Sequence, residues 1–254
     1  MSDIVTGQDI QTIAIILMIV MFAGWGMGRW LGRRLRDRGI TQPSKLADAS
    51  MALLGLLIAF TFGMSIERHD RRRLAAVADS NSIGDFNTCA AMLTEPTRSK
   101  LQAVIQRYAQ LRLQTARGLR GNADIESALE KSDEMHDQMT QLVREALNNG
   151  TPIAVSLTNT LNAVTSNQAS RLSAYRDRLP TSIVVLLFAA AISSIMLIGR
   201  EEGRSDTPDA AGTILYILLV AIAIYVTLDL NRPERGLIRV SQEPIERLLN
   251  SMSK

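Results

Sequence analysis

The sequence predicts an all-α membrane protein, with four transmembrane helices in two pairs and a helical extramembrane bundle inserted between the pairs. Three observations predict it. Four windows, 10–28, 49–66, 181–199 and 210–228, contain no charged residue. Each has about the length that a helix rising ~1.5 Å per residue needs to cross a ~30 Å hydrocarbon core. The 28 basic and 25 acidic residues lie in the remainder, chiefly 68–178, where apolar residues recur at helical spacing. The expected organisation is a first helix pair over 1–66, a helical domain over 67–180, a second pair over 181–230 and a tail over 231–254.

Composition narrows the function classes. A soluble domain does not carry four such windows, and the first lacks the basic leader and cleavage pattern of a signal peptide. One cysteine, Cys89, cannot close an intrachain disulfide, and two histidines make a zinc or haem site improbable. No metal and no cofactor is expected. A net charge of +3 with 4% aromatic residues is too weak a signature for nucleic-acid binding. The basic excess suits arginines resting at an anionic lipid surface.

In the first span Gly24, Gly28 and Gly32 stand four apart. Helices in lipid associate by close backbone approach, so this line predicts a packing face. The run Gly24-Trp25-Gly26-Met27-Gly28 imitates a phosphate loop, but no strand precedes it and it lies inside an apolar span. The second span has its own small-residue line, Gly55, Ala59 and Gly63, with Leu56, Phe60 and Met64 beside it. If the small line packs on neighbouring helices, the larger line faces either lipid or an enclosed axis. A ring of such side chains around an axis is a hydrophobic constriction, which can gate ions by dewetting.

The helix is expected to run on through 67–93, with Leu74, Val77, Ile83, Phe86 and Met92 as a loose stripe. Its first turns hold Glu67, Arg68, His69, Asp70 and Arg71, then Arg72 and Arg73. This cluster serves as an interfacial anchor with pairs such as Glu67–Arg71 and Asp70–Arg73, or as an electrostatic vestibule that concentrates anions. Thr94-Glu95-Pro96 restarts a helix carrying Leu101, Val104, Ile105, Tyr108 and Leu111, closed by Gly118 and Gly121. A third helix, over about 123–147, stops at Asn148-Asn149-Gly150. Thr151-Pro152 is read as the cap of a fourth, which contains Ile153, Leu157, Leu161, Val164, Leu172 and Tyr175. The fourth span leaves the membrane through Asp229, Asn231, Arg232, Pro233 and Gly236, and a short helix over 245–252 ends the chain. Asp229 needs a partner at that depth, for which Arg232 or an arginine of 68–73 is the expectation.

Two stretches carry a family resemblance. One is Gly55-Leu56-Leu57-Ile58-Ala59-Phe60-Thr61-Phe62 through Arg68-His69-Asp70-Arg71-Arg72, with Asn81-Ser82-Ile83-Gly84 after it. The other is Leu228-Asp229-Leu230-Asn231-Arg232-Pro233 through Gly236-Leu237-Ile238-Arg239-Val240-Ser241 and Pro244. With the two-plus-two topology, the chain resembles the bestrophin-like membrane proteins of bacteria, relatives of the bestrophin anion channels. The resemblance implies a multi-pass protein of the bacterial inner membrane and a homo-oligomer, a pentamer by analogy. It also implies a second span lining an ion pore at Leu56, Phe60 and Met64. Bestrophins carry tryptophans just after that span, where this chain has Arg72 and Arg73, and the calcium-binding acidic cluster of animal bestrophins has no counterpart.

Orientation divides the expectations. Arginines at 29, 33, 34, 36 and 38 put the first loop in the cytoplasm by the positive-inside rule, whereas the resemblance puts the helical insertion there. Two functions are expected in turn: an ion channel passing inorganic anions, or a non-conducting sensor or scaffold whose helical domain binds a partner or ligand. An enzyme is not expected. His69 and His136 fall in different helices, and the serines of 151–173 carry no nucleophile signature.

Overall fold

The computed structural model describes residues 10–39, 45–118, 122–231 and 238–253, and among these every regular element is a helix. In chain order they are α1 (Ile10–Asp37), α2 (Leu46–Ala91), α3 (Thr97–Gly118), α4 (Asn122–Asn148), α5 (Ala154–Arg176), α6 (Thr181–Arg204), α7 (Ala210–Leu230) and α8 (Glu243–Met252). Stretches long and apolar enough to cross a membrane lie within Gln11–Asp37, Leu46–Ala91, Ala154–Arg204 and Ala210–Leu230. The charge-free part of the third is in α6. The described residues of Met1–Arg68, Arg178–Arg232 and Ile238 form one compact unit, and those of His69–Asp177 and Arg239–Lys254 another.

In the first unit α1 packs along α6, and both touch α7. Its core gathers Leu17, Met21, Leu54, Leu187, Ile195, Ile217 and Ile224. The α1–α6 contact is made by glycines. A Cβ on Gly28 would press into the Met196 carbonyl and one on Gly199 into that of Trp25, while Gly32 and Gly203 meet the backbone at Arg200 and Arg29. Gly24 is looser, with Ile192 Cγ2 at 3.7 Å. No hydrophobic effect drives helices together in lipid, so such backbone approach supplies the dispersion contacts instead. Ser194 Oγ donates to the Ser50 carbonyl at 3.1 Å and lies 2.7 Å from Ser50 Oγ, which ties α2 to α6. The outer faces stay apolar: Ile15, Ile19, Leu53, Val185, Leu186, Leu215, Leu219 and Ile222 are all exposed. Continuous apolar surface of this kind requires lipid rather than water.

The second unit is a helical bundle with a core of Ile83, Phe86, Leu101, Ile105, Tyr108, Met139, Leu157, Val164 and Ile245. Several local expectations shift. Leu74 and Met92 are exposed, at 68% and 66%, so the α2 stripe is narrower than the spacing suggested. The α3 helix begins at Thr97, after Pro96. The α5 helix begins at Ala154 with no side-chain cap, so Thr151 does not cap it. Gly150, at φ 74°, ends the turn after α4, a left-handed position that favours glycine. Gly121 lies outside the described residues.

Candidate functional site

Within the membrane α2 has two unlike faces. Leu54, Thr61 and Ser65 are buried in the chain, whereas Leu56 and Phe60 are 53% and 64% exposed. Thr61 satisfies its hydroxyl on its own helix, donating to the Leu57 carbonyl at 2.8 Å. Met64 is half-buried against the membrane core. The neighbouring line Gly55, Ala59 and Gly63 is exposed, and nothing lies within 4 Å of where a Cβ on Gly55 or Gly63 would stand. Gly28 and Gly32 of α1, by contrast, meet backbone within this chain. The small-residue line of α2 therefore has no contact partner among the described residues.

At the end of this span Glu67, Asp70 and Arg71 are exposed, and Arg68 and His69 are half-buried. Arg68 Nη1 donates to the Met64 carbonyl at 3.4 Å. No ion pair joins Asp70 to Arg73 among the described residues. The buried member of the run is Arg72, fully enclosed. Its Nε donates to the Ala174 carbonyl at 3.1 Å and its Nη2 to that of Asp177 at 2.7 Å. Those carbonyls belong to the C-terminal end of α5, where unsatisfied C=O groups and the helix dipole both favour a cation.

The membrane exit of α7 is held by side-chain oxygens on backbone amides. Asp229, 3% exposed, accepts from the Ile238 N–H at 3.0 Å. A main-chain amide is thus one partner of this carboxylate. Asn231 accepts from the Leu179 N–H through Oδ1 at 2.8 Å, just before Pro180 opens α6. Arg232, Pro233 and Gly236 lie outside the described residues.

The helical bundle holds a buried charge network that no motif in the sequence singles out. Asp79 of α2 is fully enclosed and receives two guanidinium groups. Arg112 of α3 donates to Oδ1 at 3.1 Å and Arg171 of α5 to Oδ2 at 2.7 Å. Arg171 also reaches Gln242 Oε1 at 3.4 Å, ahead of α8. Burial alone lowers the Arg171 pKa, but the Asp79 charge and hydrogen bond outweigh it and the net shift is upward. The Tyr108 hydroxyl donates to Gln168 Oε1 at 2.8 Å, and Gln168 Nε2 donates to Ser132 Oγ at 3.2 Å. Burial pushes the Tyr108 phenol up, with Arg112 opposing. The Asp79 carboxylate, shared by two guanidinium groups, thus links α2 to α3 and α5.

A polar groove of about 590 Å³ runs between α2 and α8, lined by Ser80, Asn81, Asp85, Glu243, Arg247 and Ser251 among others. Glu243 and Arg247 pair across one turn at 2.5 Å. Cys89 is a half-buried free thiol against the core. His136 Nε2 lies 2.9 Å from Thr165 Oγ1. Among the described residues no cluster of three or more His, Cys, Asp or Glu is placed to hold a metal ion.

A family model described as Bestrophin-like domain matches residues 14–245. No curated protein and no solved structure matches the chain.

Proposed function

The chain belongs to the bestrophin-like family of membrane proteins, and on that premise we propose that it is a homo-oligomeric ion channel, selective for anions, whose second span lines the pore. One observation carries this reading: on α2 the Gly55–Ala59–Gly63 line is open, and the Leu56–Phe60 line beside it is exposed. An adjacent copy packed on the small line leaves Leu56 and Phe60 facing an axis, with Met64 one turn further on. The rings so formed make an apolar neck whose wetting decides conduction. Glu67, Arg68, His69, Asp70 and Arg71 then sit at the mouth of the pore, where the arginines raise the local anion concentration. Asp229 and Asn231 anchor the end of the last span. The host is proposed to be a bacterial inner membrane.

Flux of chloride through proteoliposomes tests the reading. Phe60→Ala is expected to change the rate, whereas Leu186→Ala, at another exposed apolar position, on α6, leaves it unchanged. No flux above that of empty liposomes under any voltage or pH sinks it. The α2–α8 groove supports a second reading, a sensor or scaffold whose helical domain binds a small polar ligand, since its size suits one. That reading expects no conductance and a ligand-dependent melting temperature.

A further inference from the structure

The last turns of α1 carry more positive charge than the described residues neutralise. Arg33, Arg34 and Arg38 are exposed there, and among the described residues no carboxylate pairs with any of them. Asp37, exposed on the same turn, is no exception. The acidic residues nearby are otherwise engaged. Glu202 accepts from Trp25 Nε1 at 3.0 Å and lies 3.8 Å from Arg29 Nε. Glu201 takes Arg200 at 3.4 Å and Arg204 at 3.1 Å, and Asp206 lies 3.7 Å from Arg36. Trp30 stands exposed one turn before Arg34, whose guanidinium lies 3.8 Å from the ring centroid. An exposed tryptophan at a span end marks the headgroup level, and the stacked guanidinium is held there with it. The α1–α6 glycine contacts at Gly28, Gly32, Gly199 and Gly203 fix the backbone beneath.

We propose that Trp30, Arg33, Arg34 and Arg38 form a site for the phosphodiester of an anionic phospholipid such as phosphatidylglycerol. Arginine donates to phosphate oxygens in a fork, and the indole lies along the glycerol and upper acyl region. The proposal rests on the spans lying in lipid and is independent of conduction.

Both tryptophans of the chain, Trp25 and Trp30, are in α1, so the full-length protein carries its own probe. It is reconstituted in phosphatidylcholine vesicles containing either brominated phosphatidylglycerol or brominated phosphatidylcholine at equal mole fraction. The difference between the native protein and Trp30→Phe isolates Trp30 emission. Brominated phosphatidylglycerol is expected to quench it preferentially, and each Arg→Gln change at 33, 34 or 38 to reduce that preference by up to about fivefold. The matching Lys variants, which keep the charge but lose the fork, retain only part of it. Equal quenching by the two lipids, or a preference unchanged in the triple Gln variant, overturns the proposal. So does loss of the preference in inorganic phosphate beyond that seen in sodium chloride of equal ionic strength, which assigns the site to a free anion.

Discussion

Gly32 of α1 and Gly203 of α6 meet backbone to backbone: a Cβ on Gly32 would stand 2.9 Å from the Cα of Gly203. One turn earlier Gly28 meets the main chain of Met196 and Arg200, and Gly199 that of Trp25 and Arg29. Added carbon here meets main chain, which cannot swing aside. Gly28→Ala or Gly199→Ala is therefore expected to destabilise the protein by about 1–3 kcal/mol. Gly26→Ala, where nothing lies within 4 Å, is the neutral control. Thermal unfolding in detergent measures both.

The open glycines of α2 lead to the opposite expectation. Gly63→Leu leaves the melting temperature of the isolated subunit unchanged but shifts the oligomer distribution in native mass spectra. If particle mass and chloride flux both stay as they were, α2 does not face another copy.

Removing the Asp79 carboxylate strands two buried guanidinium groups. Asp79→Leu is expected to cost about 3–5 kcal/mol, read as a lowered melting temperature. Replacing Asp79, Arg112 and Arg171 together by apolar residues of similar volume recovers most of the loss, because no uncompensated charge remains.

Asn231 separates a hydrogen bond from a packing contact. Asn231→Leu leaves the buried Leu179 N–H unsatisfied and is expected to cost about 1–3 kcal/mol. Asn231→Asp keeps an acceptor and loses less. Hydrogen exchange at the Leu179 amide follows the bond directly.

The spans were legible because a charge-free stretch as long as a membrane helix is seldom built for water. The bundle was legible because Leu101, Ile105 and Tyr108, or Leu157, Leu161 and Val164, repeat at three and four. What escaped was charge on the buried face. Asp79 stands three residues after buried Ala76 and four before Ile83, Arg112 four after Tyr108, and Arg171 seven after Val164. Each occupies a core register, and that register was the signal. Charged residues usually mark a solvated face, and residues so far apart in sequence do not announce that they meet. Gly199 and Gly203 were missed although they are four apart like Gly24, Gly28 and Gly32. What, if anything, covers Gly55, Ala59 and Gly63 was never legible, since a single chain says nothing of a neighbour. The Ile238 amide on Asp229 was equally hidden, because every residue but proline offers the same N–H.

The paired glycines of α1 and α6 also restrict how this protein can diverge. Bulk gained at Gly28 must be matched by a shift of the opposing main chain around Met196, and the same holds for Gly32 against Arg200. Through descent these sites should therefore drift as linked couples, while Gly26 and its open surroundings wander freely. Pairwise substitution patterns across many descendants would carry the imprint of that crossing, even where overall similarity has faded.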